Sequence, residues 1–146
     1  MRSLHLIIAC CAVVFIGCAT GGPGRSRSED PLPPIVSSQA FAGIIVPRLV
    51  NFVDSWTPTQ EQVVLAESKV QQCVLSHRRG LRSTLSRYFR QYAGWTVDGR
   101  KVLDIGFFDT RHYRVDRLRQ PLAVCDGDGE TYFLVTFDLE SQTCSF

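Results

Sequence analysis

Between residues 57 and 108 the spacing of apolar side chains changes from three-and-four to two, and that change dictates the fold class. Val63, Ala66, Val70, Cys73, Val74 and His77 recur at helical spacing and mark one face of a helix. Thr57-Pro58 offers a capping hydroxyl and a first-turn residue with no N–H to satisfy, and Gly80 suits a stop, so the spacing predicts a helix over 58–79. Residues 88–97 and 101–108 then alternate around Asp98-Gly99, a dipeptide that tolerates the positive φ angles of a tight hairpin turn. That register sets Tyr92 opposite Ile105 and Trp95 opposite Val102, with Tyr92, Leu103, Ile105 and Phe107 on the core side. A second meander reads as 122–125, a turn at Asp126-Gly127-Asp128-Gly129, then 132–138 and 143–146. The expected fold is α+β: one long helix packed on an antiparallel sheet of about four strands. Residues 35–56 are apolar and interrupted by Pro47; they are expected to pack on the domain, without an assigned local structure.

The amino-terminal region has a different character. Arg2 precedes an unbroken apolar run over 6–16. As a helix that run would rise about 16 Å, too short for a hydrocarbon core of about 30 Å but the length of a signal-peptide core. Phe15-Ile16-Gly17-Cys18 follows, and it resembles the lipobox of bacterial lipoproteins, with Phe15 where that family most often has Leu. The resemblance implies cleavage before Cys18 and lipidation of its thiol. Ala19, rather than Asp, implies an outer-membrane destination facing the periplasm rather than the inner membrane. Glycine, proline and mixed charge make residues 20–34 a linker, with a root-mean-square reach of about 20–25 Å. The expected organisation is a signal peptide at 1–17, a lipidated cysteine and flexible linker at 18–34, and a single small domain at 35–146.

Besides the lipidated Cys18, three cysteines remain after such cleavage, Cys73, Cys125 and Cys144. An oxidising compartment allows one disulfide and leaves one thiol; the alternative is three small buried apolar residues. A last hairpin turning at Glu140-Ser141 sets Cys144 opposite Phe137 on the core face, which favours Cys73–Cys144 as the pair. Cys73 and His77, four apart on a helix, could present two metal ligands or a thiolate–imidazole pair. Zinc needs at least one further ligand, and the other mature histidine, His112, lies among arginines. The Asp126-to-Glu130 run has acidic residues at calcium-loop spacing. However, an EF-hand would need Gly and Glu where Thr131 and Phe137 stand, so a hairpin turn is the better reading. No metal and no cofactor are expected. The sequence has no G-x-S-x-G, H-E-x-x-H or glycine-rich phosphate loop, and a non-enzymatic role is expected over a small hydrolase.

Charge is unevenly distributed. Residues 77–119 hold eleven Arg or Lys against four Asp, while 120–146 hold five acids and no Arg or Lys. Arg78, Arg79 and Arg82 leave the helix end, where the helix dipole alone favours them, and Arg111, Arg114, Arg117 and Arg119 occupy the loop between the hairpins. The plain reading is a solvated surface paired with the acidic segment. The sharper reading is a patch that holds phosphate or carboxylate through guanidinium forks. A net charge of +2 does not by itself imply nucleic acid, and none is expected as a partner.

The run Tyr88-Phe89-Arg90-Gln91-Tyr92-Ala93-Gly94-Trp95, with Asp98-Gly99-Arg100 after it and Val124-Cys125-Asp126-Gly127 before a Tyr/Phe-rich strand, resembles small bacterial lipoproteins of unassigned function. The resemblance implies a secreted α+β domain and carries over no active site. Lipoprotein lysozyme inhibitors share address and size, but the basic stretch has the wrong sign to meet a basic enzyme. The expected function is a membrane-anchored envelope lipoprotein, non-enzymatic, whose domain has a binding or accessory role. Its expected partners are the bilayer through Cys18 and an anionic envelope component or envelope protein. The alternatives are a small envelope hydrolase and a structural subunit of an envelope assembly. A binder needs both arginine segments on one face, not neutralised by Asp126, Asp128 or Glu130. A hydrolase needs His77 or His112 in a cavity, and a structural subunit needs a large exposed apolar patch.

Overall fold

The computed structural model describes residues 33–38, 41–119, 129 and 131–146. One long helix, α1 (Gln60–His77), packs on a mixed sheet of seven strands. The strands are β1 (Ile35–Ser37), β2 (Ala42–Ile45), β3 (Ser55–Trp56), β4 (Tyr88–Val97), β5 (Arg100–Asp109), β6 (Tyr132–Asp138) and β7 (Cys144–Ser145). A one-turn helix, α2 (Val115–Leu118), lies between β5 and β6. The α+β class and the long helix agree with the sequence. The sheet does not: it is mixed rather than antiparallel, and larger than about four strands.

The difference comes from residues 35–56. β2 pairs in parallel with β4, Ala42 to Phe89 through Ile45 to Tyr92, while β3 pairs antiparallel with the far end of the same strand. A parallel neighbour needs a long crossover, and α1 provides it. Between β2 and β3 the chain reverses around the buried Ser55. Its hydroxyl accepts from the Leu49 N–H at 3.0 Å and donates toward the Leu49 and Phe52 carbonyls. β2 can approach because position 43 is glycine: a Cβ there would lie 2.5 Å from the Arg90 carbonyl oxygen and 2.8 Å from the Tyr92 ring. Two short, dissimilar strands on one edge of β4 leave no alternating run long enough to read in a sequence.

The helix starts two residues later than the sequence suggested. Thr59 is the cap: its hydroxyl accepts from the Gln62 N–H at 3.3 Å and the Gln62 side chain accepts from the Thr59 N–H at 2.9 Å. This reciprocal pair satisfies two of the otherwise orphaned donors, whereas Thr57 serves the Arg48 N–H instead. Val63, Ala66, Val70 and Val74 then face Leu103, Ile105, Val135 and Phe137 in the main core. The β4–β5 hairpin keeps the expected register, with Tyr92 opposite Ile105 and Trp95 opposite Val102, around Asp98 (φ 51°) and Gly99 (φ 75°). On the opposite sheet face a smaller cluster of Ile44, Phe89, Phe108, Leu118 and Tyr132 lies under α2. The expected strand at 122–125 and turn residues 126–128 lie outside the described residues.

Candidate functional site: an arginine-rich end

β4 begins at Tyr88 and β5 ends at Asp109, and these two residues are paired. The segment entering β4 and the segment leaving β5 are therefore forced together at one end of the sheet. The Thr110 N–H donates to the Arg87 carbonyl at 3.3 Å, and the Asp109 N–H donates to the Thr131 carbonyl at 2.8 Å. Two short 3-10 turns, Arg79–Leu81 and Leu85–Arg87, carry the chain from the helix to β4. The adjoining segments carry Arg78, Arg79, Arg82 and Arg87 on one side and Arg111, Arg114, Arg117 and Arg119 on the other. However, Arg79 and Arg82 border α1 whereas Arg87 and Arg119 border the opposite sheet face, so these arginines do not share the single face expected of a binder.

These arginines are not equivalent. Arg111 grips Asp109 through its Nε and one terminal nitrogen, with contacts of 2.6 to 3.1 Å, and its backbone N–H adds another at 3.0 Å. The Asp109 side chain is fully buried, and the Arg111 hydrogen bonds hold its carboxyl down at about 2. Arg114 pairs with Asp116 at 2.7 Å in full solvent, a contact of small energetic weight. Arg78 donates to the Gly129 carbonyl and lies 4.7 Å over the Phe133 ring. Arg79 and Arg82 border a shallow polar groove with Gln71, Gln72 and Ser76, and Arg117 is exposed. Arg119 and Arg87 border a second cavity, on the sheet face opposite α1. Among the described residues no carboxylate pairs with Arg79, Arg82, Arg117 or Arg119. The acids expected as neutralisers, Asp126, Asp128 and Glu130, lie outside the described residues. Those that do engage arginines here, Asp109 and Asp116, come from within the basic stretch itself.

Cys73 and Cys144 are joined by a disulfide, with Cα atoms 6.6 Å apart, and Cys144 stands opposite Phe137. With its sulfur so bound, Cys73 offers His77 no thiolate. The His77 ring is exposed, lies 4.5 Å from the Phe146 ring, and has Nδ1 3.1 Å from the Cys73 carbonyl. His112 is exposed, and neither histidine borders the two cavities. Among the described residues no group of three potential ligands could hold a metal ion. Large exposed apolar side chains, such as Val50, Val53, Val64, Val97 and Leu134, are dispersed over the loop before β3, the helix and two strands. Compared with protein-family models, curated proteins and solved structures, the chain matches none. Its chemistry is therefore read from its own geometry.

Sequence reasoning missed two polar clusters. Under α1, Glu67 Oε1 lies 3.0 Å from Arg90 Nε and accepts from the Tyr92 hydroxyl at 2.8 Å. The Arg90 Nε–H does not point along that line, so the contact is Coulombic, while another nitrogen donates to the Tyr88 carbonyl at 2.8 Å. The Arg90 guanidinium also lies 5.0 Å over Phe107. Burial pushes the Glu67 carboxyl up, against the pull of Arg90 and the Tyr92 hydroxyl. Burial and the neighbouring Glu67 charge push the Tyr92 phenol up. On the other face, burial raises the Asp104 carboxyl although Thr136 donates to it at 2.6 Å. Alternation held the signal for the first cluster: if Tyr92 faces the core, Arg90 must share that face, and a buried cation needs a partner.

Proposed function

We propose that this chain is a membrane-anchored envelope lipoprotein, non-enzymatic, whose domain holds an anionic envelope component through its arginine-rich end. The anchor rests on the apolar run at 6–16 and on Phe15-Ile16-Gly17-Cys18, with 1–17 removed as a signal peptide and 18–34 serving as a flexible tether. An outer-membrane address facing the periplasm follows from Ala19 by the same resemblance to small bacterial lipoproteins. The described residues contain no helix long and apolar enough to cross a membrane.

The observation that supports the binding role is that the segments entering β4 and leaving β5 adjoin at the Tyr88–Asp109 pairing and both carry arginines, Arg79 and Arg82 beside α1 and Arg119 on the opposite sheet face. The two described acids there, Asp109 and Asp116, are already engaged, and Arg79, Arg82, Arg117 and Arg119 have no carboxylate partner among the described residues. Guanidinium groups in such a cluster favour phosphate and carboxylate oxygens. Intact mass of membrane-extracted protein tests the anchor: a chain starting at Cys18 with added diacylglycerol is expected, and an unlipidated species would remove it. For the binding role, the chain carrying Cys18→Ser is incubated with isolated envelope fragments. Adding Arg79→Glu, Arg82→Glu and Arg117→Glu is expected to abolish retention, and rising salt to weaken it. Retention unchanged by the three reversals would remove the arginine end from the account.

A further inference from the structure

The cavity beside Arg87 and Arg119 has a composition that the open arginine surface lacks. Its volume is about 280 Å³, and it opens where β1 and the start of β4 meet α2. Ile35, Phe89 and Val115 form an apolar wall; Arg87, Arg119 and Thr110 bring charge and a hydroxyl to the same space. Ile35 is 57% exposed and Val115 41% exposed, so the wall offers apolar surface that the fold itself leaves uncovered. Arg87 Nε is buried and has no hydrogen-bond partner among the described residues. Asp109, the carboxylate nearest in sequence to Thr110, is hydrogen-bonded by Arg111, with the Arg87 charge acting on it only through space.

We propose that this cavity binds an oxyanion carried on a small apolar body, with the oxygens toward Arg87, Arg119 and Thr110 and the body against Ile35, Phe89 and Val115. A volume of 280 Å³ is about nine times the roughly 30 Å³ a water molecule occupies, which limits the enclosed part to about nine non-hydrogen atoms. The cavity is open to solvent on one side, so the group bound can be the terminus of something larger. The inference deepens the envelope-binding reading and rests on it for biological context.

The test is an amide NMR titration of the full chain with benzoate, inorganic phosphate and benzyl alcohol. Benzoate is expected to give saturable shifts at Ser86, Thr110 and Val115, with the other two binding about tenfold more weakly or worse because each supplies half of the required chemistry. Arg119 is exposed, so Arg119→Gln preserves the fold; it is expected to weaken benzoate about tenfold, as is Val115→Asp in the apolar wall. Equal binding of phosphate or benzyl alcohol, no saturable shift, or indifference to Arg119→Gln would overturn the proposal. Arg79 and Arg82 lie outside this cavity, which separates the two claims. Benzoate binding without arginine-dependent retention on envelope fragments keeps the cavity and removes the envelope reading. Arginine-dependent retention without benzoate binding does the reverse.

Discussion

Arg90 and Arg119 carry the same charge in opposite settings. Arg90 is 2% exposed, set against Glu67 and two aromatic rings beneath the helix. Arg119 stands in solvent at the rim of a cavity, with no carboxylate partner among the described residues. A charge inside the fold must be matched by the fold, so the surroundings of Arg90 are fixed and its deletion is structural. A charge at the sheet end costs the fold little and stays available to something else. Arginine counts alone do not distinguish these cases; burial and the identity of the nearest carboxylate do.

Breaking the buried side of this comparison should produce the largest effect. Glu67→Ala leaves Arg90 buried without a countercharge and is expected to cost about 3–5 kcal/mol in urea unfolding. Pairing it with Arg90→Met should recover much of that loss, because no unmatched charge remains. Next comes the disulfide that ties α1 to β7 across 71 residues. Cys73→Ser with Cys144→Ser is expected to cost about 2–4 kcal/mol, measured the same way.

The two regions should also respond oppositely to pH. Glu67 has a folded pKa raised above its ordinary 4.5, so its contribution to stability is complete below that value and is lost as pH rises through the folded pKa. Asp109 has a folded pKa lowered from 3.8 to about 2, so its contribution is present above 3.8 and is lost as pH falls through about 2. In unfolding curves across that acid range, Asp109→Asn should show a shallower loss than the parent chain; an identical loss would contradict the Arg111–Asp109 assignment. The smallest stability effect is expected at the exposed arginines. Arg79→Glu with Arg82→Glu should change unfolding free energy by no more than about 0.5 kcal/mol at each site, since no carboxylate among the described residues depends on either.

Much of this arrangement was legible where one element follows one rule. The β4–β5 hairpin obeys period two around Asp98-Gly99, and its register follows from that turn. The helix face follows from Val63, Ala66, Val70 and Val74. The cap was displaced because Thr57 and Thr59 both have a glutamine three residues on, Gln60 and Gln62, and the fold uses Thr59 while the Thr57 hydroxyl accepts from the Arg48 N–H. The parallel β2 was hidden because Ala42–Ile45 is four residues long and finds its partner across the whole of α1. The placement of the arginines was half visible: their two segments could be named, but only the Tyr88–Asp109 pairing makes the segments adjoin, and their side chains divide between the α1 side and the opposite sheet face. Arg87 was passed over because its distinguishing features, a buried Nε and a cavity, belong to the packing of β1 and α2 against β4.

The central claim is that the arginine end binds while the buried polar cluster only supports the fold. The most direct measurement is the salt dependence of retention on isolated envelope fragments, comparing the Cys18→Ser chain with the same chain carrying Arg79→Glu, Arg82→Glu and Arg117→Glu. The account predicts salt-sensitive retention in the first and none in the second, with both equally stable to urea. Equal, salt-insensitive retention by two equally stable chains would contradict it.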